Sequence, residues 1–145
     1  MRGLLVALVF SVVSFAAQAD ELVLVGSDKS NWKELTSFEL RKLFLGMPVE
    51  RGQRKLLPIR NESSEDLDRF FLKVVVGMRP NTYQRKLLRN QLNYAIQPPV
   101  SIYNLMELNS ELEGSKDAVS YVWRSSLDEE NTGLHILQVI WRPAL

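Results

Sequence analysis

A chain of 145 residues, with 18 Lys and Arg against 17 Asp and Glu and 46% hydrophobic residues, has the size and balance of one globular domain, not of a disordered or strongly basic nucleic-acid-binding protein. It contains no cysteine, which excludes disulfides, thiolate metal ligands, thiol catalysis and a lipid-modified cysteine. One histidine leaves too few donors for a zinc site, so neither a metal nor a cofactor is expected.

The N-terminus has the layout of a secretory leader. Arg2 gives a positive start, residues 4 to 16 are apolar apart from two serines, and Ala17-Gln18-Ala19 fits the small-x-small rule of signal peptidase. A retained membrane anchor needs roughly 20 apolar residues, and this run gives way to Asp20 and Glu21 before that length. Residues 1 to 19 are therefore expected to be cleaved, leaving residues 20 to 145 as a periplasmic domain. Cleavage removes Arg2 alone and leaves 17 basic against 17 acidic residues. Their distribution is uneven: residues 20 to 100 hold 14 basic and 10 acidic side chains, and residues 101 to 145 hold 3 and 7.

Residues 22 to 25, closed by Gly26, read as a buried strand. Thr36 followed by Glu39 is a capping box, with Leu35 and Leu40 as its hydrophobic staple, and it predicts a helix from residue 36 to Gly46 carrying Leu40, Leu43 and Phe44. Residues 48 to 55 read as a polar turn region around Gly52, and residues 56 to 59 as a second strand. Behind Ser63 and Ser64, the spacing of Leu67, Phe70, Phe71, Val74 and Val75 predicts a helix ending at Gly77. Residues 80 to 92 predict another, with Tyr83, Leu87, Leu88 and Leu92 as its apolar positions, before Pro98-Pro99. A fourth helix is expected from Ser101, carrying Ile102, Leu105, Met106 and Leu112 and ending with Gly114 at C′. Residues 118 to 123 and 135 to 141 read as strands separated by a polar loop at 125 to 133. This order argues for an α/β sandwich, helices packed on a mixed sheet.

The chemistry available is narrow. His135 lies in an apolar strand pattern, where a lone histidine is structural, and no serine sits in a nucleophile motif, so enzyme activity is not expected. Arg79, Arg85, Lys86 and Arg89 with Tyr83 form a basic, aromatic helix, but the zero mature charge and export argue against nucleic acid. The sharper candidate is the segment LPIRNESS, residues 57 to 64, in which a strand delivers Arg60 and Asn61, followed by Ser63 and Ser64, to the start of the most regular helix. Open backbone N–H groups, hydroxyls and a guanidinium make an oxyanion cradle. On spacing alone the same residues also fit a plain helix cap with Arg60 paired to a local acid.

The segments LTSFELRKLFLG, LPIRNESSEDLDRFF, the following polar helix with Pro98-Pro99, and DAVSYVW together resemble the phosphate-type periplasmic substrate-binding proteins, in particular short forms built from one lobe of that fold. The resemblance spans residues 22 to 123. It implies a single-lobe, type 2 periplasmic-binding-protein-like sandwich, service to an ABC transporter for phosphate or another small oxyanion, and anion contacts from Arg60, Ser63 and Ser64. The chain departs from the family pattern where glycines are replaced: Glu65 and Asp66 occupy the helix start, and Ser120 precedes Tyr121. Two carboxylates there repel phosphate and compete for the helix dipole. An open half-site offers on the order of 3 to 4 kcal/mol, about millimolar affinity, so tight capture needs a membrane-bound transporter or receptor, or a second copy of the chain. The alternative implied is an accessory or sensory interaction domain that keeps the fold without the anion.

Overall fold

Leucine and valine alternate along Leu22–Ser27, strand β1, and every residue of it is buried, as expected of a strand covered on both faces. The computed structural model describes residues 20–130 and 133–144, so the expected leader at 1 to 19 lies outside the described residues. After β1 come helix α1 (Ser37–Phe44), β2 (Glu50–Arg51), β3 (Arg54–Lys55), β4 (Leu57–Asn61), α2 (Glu65–Phe71), α3 (Pro80–Tyr94), β5 (Val100–Ile102), α4 (Leu105–Gly114), β6 (Ala118–Trp123), α5 (Arg124–Glu130) and β7 (Leu134–Trp141). The main sheet runs β5-β4-β6-β1-β7. β4 is parallel to β5 and β6, whereas β1 is antiparallel to both its neighbours, which makes the sheet mixed.

The pleat of β1 divides the core in two. Leu22 and Leu24, with Val119 and Tyr121, pack against Leu40, Leu43 and Phe44 of α1, Leu67 and Phe71 of α2, and Tyr83 and Leu87 of α3. Val23 and Val25, with Ile59, Ile102 and Val122, meet Leu108 and Leu112 of α4 on the opposite face. The result is an α/β sandwich with helices on both sides of the sheet. Burial of each such aliphatic side chain contributes about 1.5–3 kcal/mol, so the sheet's two-sided cover supplies much of the folding force.

The capping box forms as read: Thr36 Oγ1 accepts from Glu39 N–H at 3.1 Å while Glu39 Oε1 accepts from Thr36 N–H at 3.3 Å. Glu39 also binds Arg51 at 2.6 Å, which fastens the β2–β3 hairpin to α1. The turn region expected at residues 48 to 55 is thus a short hairpin around Gly52. Gly46 ends α1 with φ +83, a left-handed conformation, and a Cβ there would stand 2.6 Å from the Gln97 carbonyl.

Several elements differ from the sequence reading. The second strand begins at Leu57 and runs on to Asn61. The helix after it widens out of α geometry at Leu72–Val76, a π-helical turn closed by Gly77 at φ +74. One turn of π-helix rotates the stripe, so Leu67, Phe71, Leu72 and Val76 are buried while Val74, expected inside, is 37% exposed. In α3, Tyr83 and Leu87 are buried as read, but Leu88 and Leu92 point to solvent. The helix expected from Ser101 starts at Leu105: the β-branched Val100 and Ile102 pair with β4 instead, and Asn104 caps the helix by accepting from Met106 and Glu107 N–H. Gly114 is the last helical residue, followed by an extended Ser115, and does not form a left-handed cap. The loop expected at 125 to 133 contains α5, whose first turn is held by the Asp20 carboxylate through the Ser125 N–H and hydroxyl.

Leu72→Ala is expected to cost about 2–5 kcal/mol, and Val74→Ala to stay within about 0.5 kcal/mol, in urea unfolding. The reverse order, with Val74→Ala the costlier, would show an uninterrupted α-helix. The Arg51 hydrogen bond, opposed in part by burial, lowers the Glu39 pKa from 4.5 to about 2. A depressed carboxylate stabilises the fold above its unfolded pKa and loses that contribution as pH falls through the folded value. Glu39→Gln is therefore expected to flatten the loss of stability between pH 4.5 and 2, read from thermal midpoints across that range.

Candidate functional site

The C-terminal end of β4 and the first turn of α2 bring Arg60, Asn61, Ser63 and Ser64 together, in the places their sequence spacing assigns them. Each already has a protein partner. Arg60 is 5% exposed, and its guanidinium forms a two-pronged contact with Asp68 on α2, Nε to Oδ1 at 2.9 Å and Nη2 to Oδ2 at 2.7 Å. Glu62 adds a second carboxylate at 3.3 Å, and the Tyr83 ring lies 4.9 Å beneath the guanidinium. Burial works against the charge on Arg60, and the bonds to Asp68 overcome it, holding its pKa above the ordinary value.

Asn61 is fully buried and spans two strands. Its Nδ2 donates to the Tyr121 carbonyl on β6 at 2.9 Å, and its Oδ1 accepts from Ser63 N–H at 3.1 Å and Ser63 Oγ at 2.6 Å. The paired registers of β4 and β6 run from Leu57 to Pro58, and side chains continue the link beyond them. Ser120 Oγ donates to the Ile59 carbonyl at 2.7 Å, so the serine that precedes Tyr121 holds the two strands together. Ser64 is the N-cap of α2, accepting from Leu67 N–H at 3.3 Å. Glu65, expected near the oxyanion position, faces solvent and pairs with Arg69.

Asp68, Tyr121 and Tyr83 complete the cluster and were not singled out by motif. The Tyr121 hydroxyl donates to Asp68 Oδ1 at 3.1 Å, and its ring stacks on Phe71 at 3.5 Å between centroids. Burial first, and then Asp68, raise the Tyr121 pKa well above that of a free phenol, so the group stays a neutral donor. Tyr83 is likewise raised, by burial. The signal for Asp68 was present: it sits beside Leu67 on the apolar stripe of α2, and an acid on a core-facing stripe requires a cationic partner.

Chemically this is a satisfied polar centre: a cation, a carboxylate and a phenol closing on one another. Among the described residues, no group of three or more His, Cys, Asp or Glu is placed to hold a metal ion, and no helix is long and apolar enough to cross a membrane. A cleft of about 320 Å³ lies at the opposite end of β4, lined by Leu57, Pro58, Pro98, Pro99 and Val100 among others, and takes in none of the four expected site residues.

No family model matches this chain, and no curated protein matches it. Solved structures do. An ABC-type phosphate transport receptor from Vibrio cholerae superposes with a TM-score of 0.59 at 14% identity, over 82% of this chain and 46% of that one. PstS from Borrelia burgdorferi superposes with a TM-score of 0.59 at 14% identity, over 87% of this chain and 49% of its own. The chain thus spans less than half the length of these structures, and at this identity the likeness is one of fold.

Asp68→Ala leaves a buried guanidinium without its main partner and is expected to cost about 3–5 kcal/mol in urea unfolding. Replacing both groups, Arg60→Met with Asp68→Leu, is expected to recover most of that loss, because no orphaned charge remains. A double variant as unstable as the single one would show that the pair is not the electrostatic centre described.

Proposed function

We propose that this chain is a non-enzymatic, phosphate-receptor-like module acting as an accessory interaction domain, in which its own Asp68 carboxylate takes the place of a bound oxyanion. The observation that carries this is the two-pronged Arg60–Asp68 contact with the Tyr121 hydroxyl on the same carboxylate oxygen. An anion arriving from solution has to displace an intramolecular partner that is already oriented, and Glu62 adds repulsion beside it. The N-terminal leader pattern supports a periplasmic setting, and the fold likeness supports work alongside an ABC transporter or a related receptor.

The rival reading is a module that itself binds phosphate or another small oxyanion through Arg60, Asn61, Ser63 and Ser64. The names of its structural neighbours favour it: a phosphate transport receptor and PstS. It requires Arg60 to leave Asp68.

Calorimetry separates the two. The purified chain is expected to show no heat and no change in melting temperature with phosphate or sulfate at millimolar concentration. Asp68→Gly, which vacates the position between the guanidinium and the Tyr121 hydroxyl, is expected to gain a phosphate-dependent rise in melting temperature. Saturable heat from the unaltered chain, abolished by Arg60→Ala, would overturn the proposal in favour of an anion receptor.

A further inference from the structure

We propose that the outer face of α3 docks this domain onto an anionic membrane surface. The inner face of the helix is fixed by three residues. Tyr83, Leu87 and Asn90 are buried, the Tyr83 hydroxyl donating to the Phe44 carbonyl and the Asn90 amide to the Leu45 carbonyl at 3.3 Å. At about 100° per residue, that anchoring turns Arg85 and Leu92 directly outward, with Leu88 and Arg89 to either side. Leu88 is 55% and Leu92 75% exposed.

Charge gives the face its sign. From residue 69 to residue 106 the chain carries six Lys and Arg and no Asp or Glu. Arg69 is paired with Glu65, whereas Arg79, Arg85, Lys86 and Arg89 make no salt bridge among the described residues. Nor do these cations serve the helix. Arg79 stands at the N-cap, the first turn holds no acid and the last turn no base, an order that opposes the helix dipole. Aliphatic side chains left in water beside unpaired cations therefore call for an external anionic, apolar surface.

Two arguments select a bilayer among such surfaces. A protein partner is discriminated by mixed attractive and repulsive contacts, whereas the charges on this face are all of one sign. Leu88 and Leu92 also stand on one helical ridge with Arg85 and Arg89 on the next, an arrangement in which leucines can sink below the headgroups while the cations stay among them. A second copy of the chain is disfavoured, since joining two such faces about a dyad brings like charges together. The face shares none of these outward residues with the Arg60 centre, so this proposal and the proposed function stand or fall separately.

The test is co-sedimentation of the purified chain with vesicles of equal parts phosphatidylglycerol and phosphatidylcholine, against vesicles of phosphatidylcholine alone. All variants are compared in the same N-terminal form, as established by mass spectrometry, so that any contribution of residues 1 to 19 is common to them. Binding to the anionic vesicles is expected, weakening as salt is raised. Each cation near an anionic leaflet is worth about fivefold in binding, so Arg85→Gln with Arg89→Gln is expected to weaken it about 25-fold. Leu88→Ser with Leu92→Ser is expected to weaken it as well, and Arg142→Gln, the same loss of charge on a residue outside α3, to leave it unchanged. Circular dichroism checks that each variant is folded. No sedimentation of the folded chain with anionic vesicles, equal binding to both kinds, or an unaltered Arg85/Arg89 variant would overturn the proposal, and the first of these would leave the face to an acidic protein.

Discussion

A buried guanidinium has few tolerable surroundings, and the packing of one whole side of this molecule follows from supplying them to Arg60. Its place near the end of β4 is set by the sheet, so Asp68 must be brought to it, and that fixes both the height and the rotation of α2. With Asp68 aimed at β4, Leu67 and Phe71 turn toward the sheet, and Phe71 comes to lie flat on Tyr121. The Tyr121 hydroxyl then reaches the same carboxylate, closing a circuit through β4, α2 and β6. Tyr83 brings in α3 by laying its ring under the guanidinium while its hydroxyl holds the end of α1. Apolar burial supplies the free energy on this face, and the polar circuit selects the arrangement that leaves no charge unpaired.

What the sequence revealed was local. The Thr36–Glu39 capping box, the stop at Gly46, the alternating runs of β1 and β6 and the Ser64 cap are each decided within a few residues, and each lies where the pattern put it. What it concealed depends on partners far along the chain. The first turn of α5 is tied by Asp20, 105 residues away from Ser125, and without that acceptor RSSLDEE reads as a polar loop. Ile102, Leu105 and Met106 have helical spacing, yet the backbone of Ile102 is taken by β4. The π-turn at Leu72–Val76 is hidden for a different reason: a run of three valines satisfies several periodicities equally, and tertiary fit chooses among them.

The candidate site shows the same division. Residue type and spacing located Arg60, Asn61, Ser63 and Ser64 at one strand end, and the structure brings those four together. Their partners were not legible by motif, because an oxyanion cradle and an internal salt bridge draw on the same residues. The distinction rests on Asp68, one acid among four between residues 62 and 68, and only its side of the helix separates it from Glu65 and Asp66. Fold likeness does not resolve this. A shared scaffold transmits the position of a strand end and a helix start, while function resides in the charges placed there.

The nature of the competition at Arg60 makes the matter one of free energy. A tethered carboxylate loses almost no further freedom when it meets the guanidinium, whereas a dissolved anion loses its translational and rotational freedom and must also strip water from a buried site. The tethered group is reinforced by the Tyr121 hydroxyl and by the packing of Phe71, so moving Asp68 aside would disturb aromatic contacts as well as the ion pair. A contest between an ordered internal ligand and a weak external one favours the internal ligand unless the latter brings several new contacts of its own. With Asn61 committed to Tyr121 and Ser63, and Ser64 to the helix start, this strand end has few left to offer. The groups available for recognition are then those that the fold leaves unpaired, among them the cations and exposed leucines on the outside of α3.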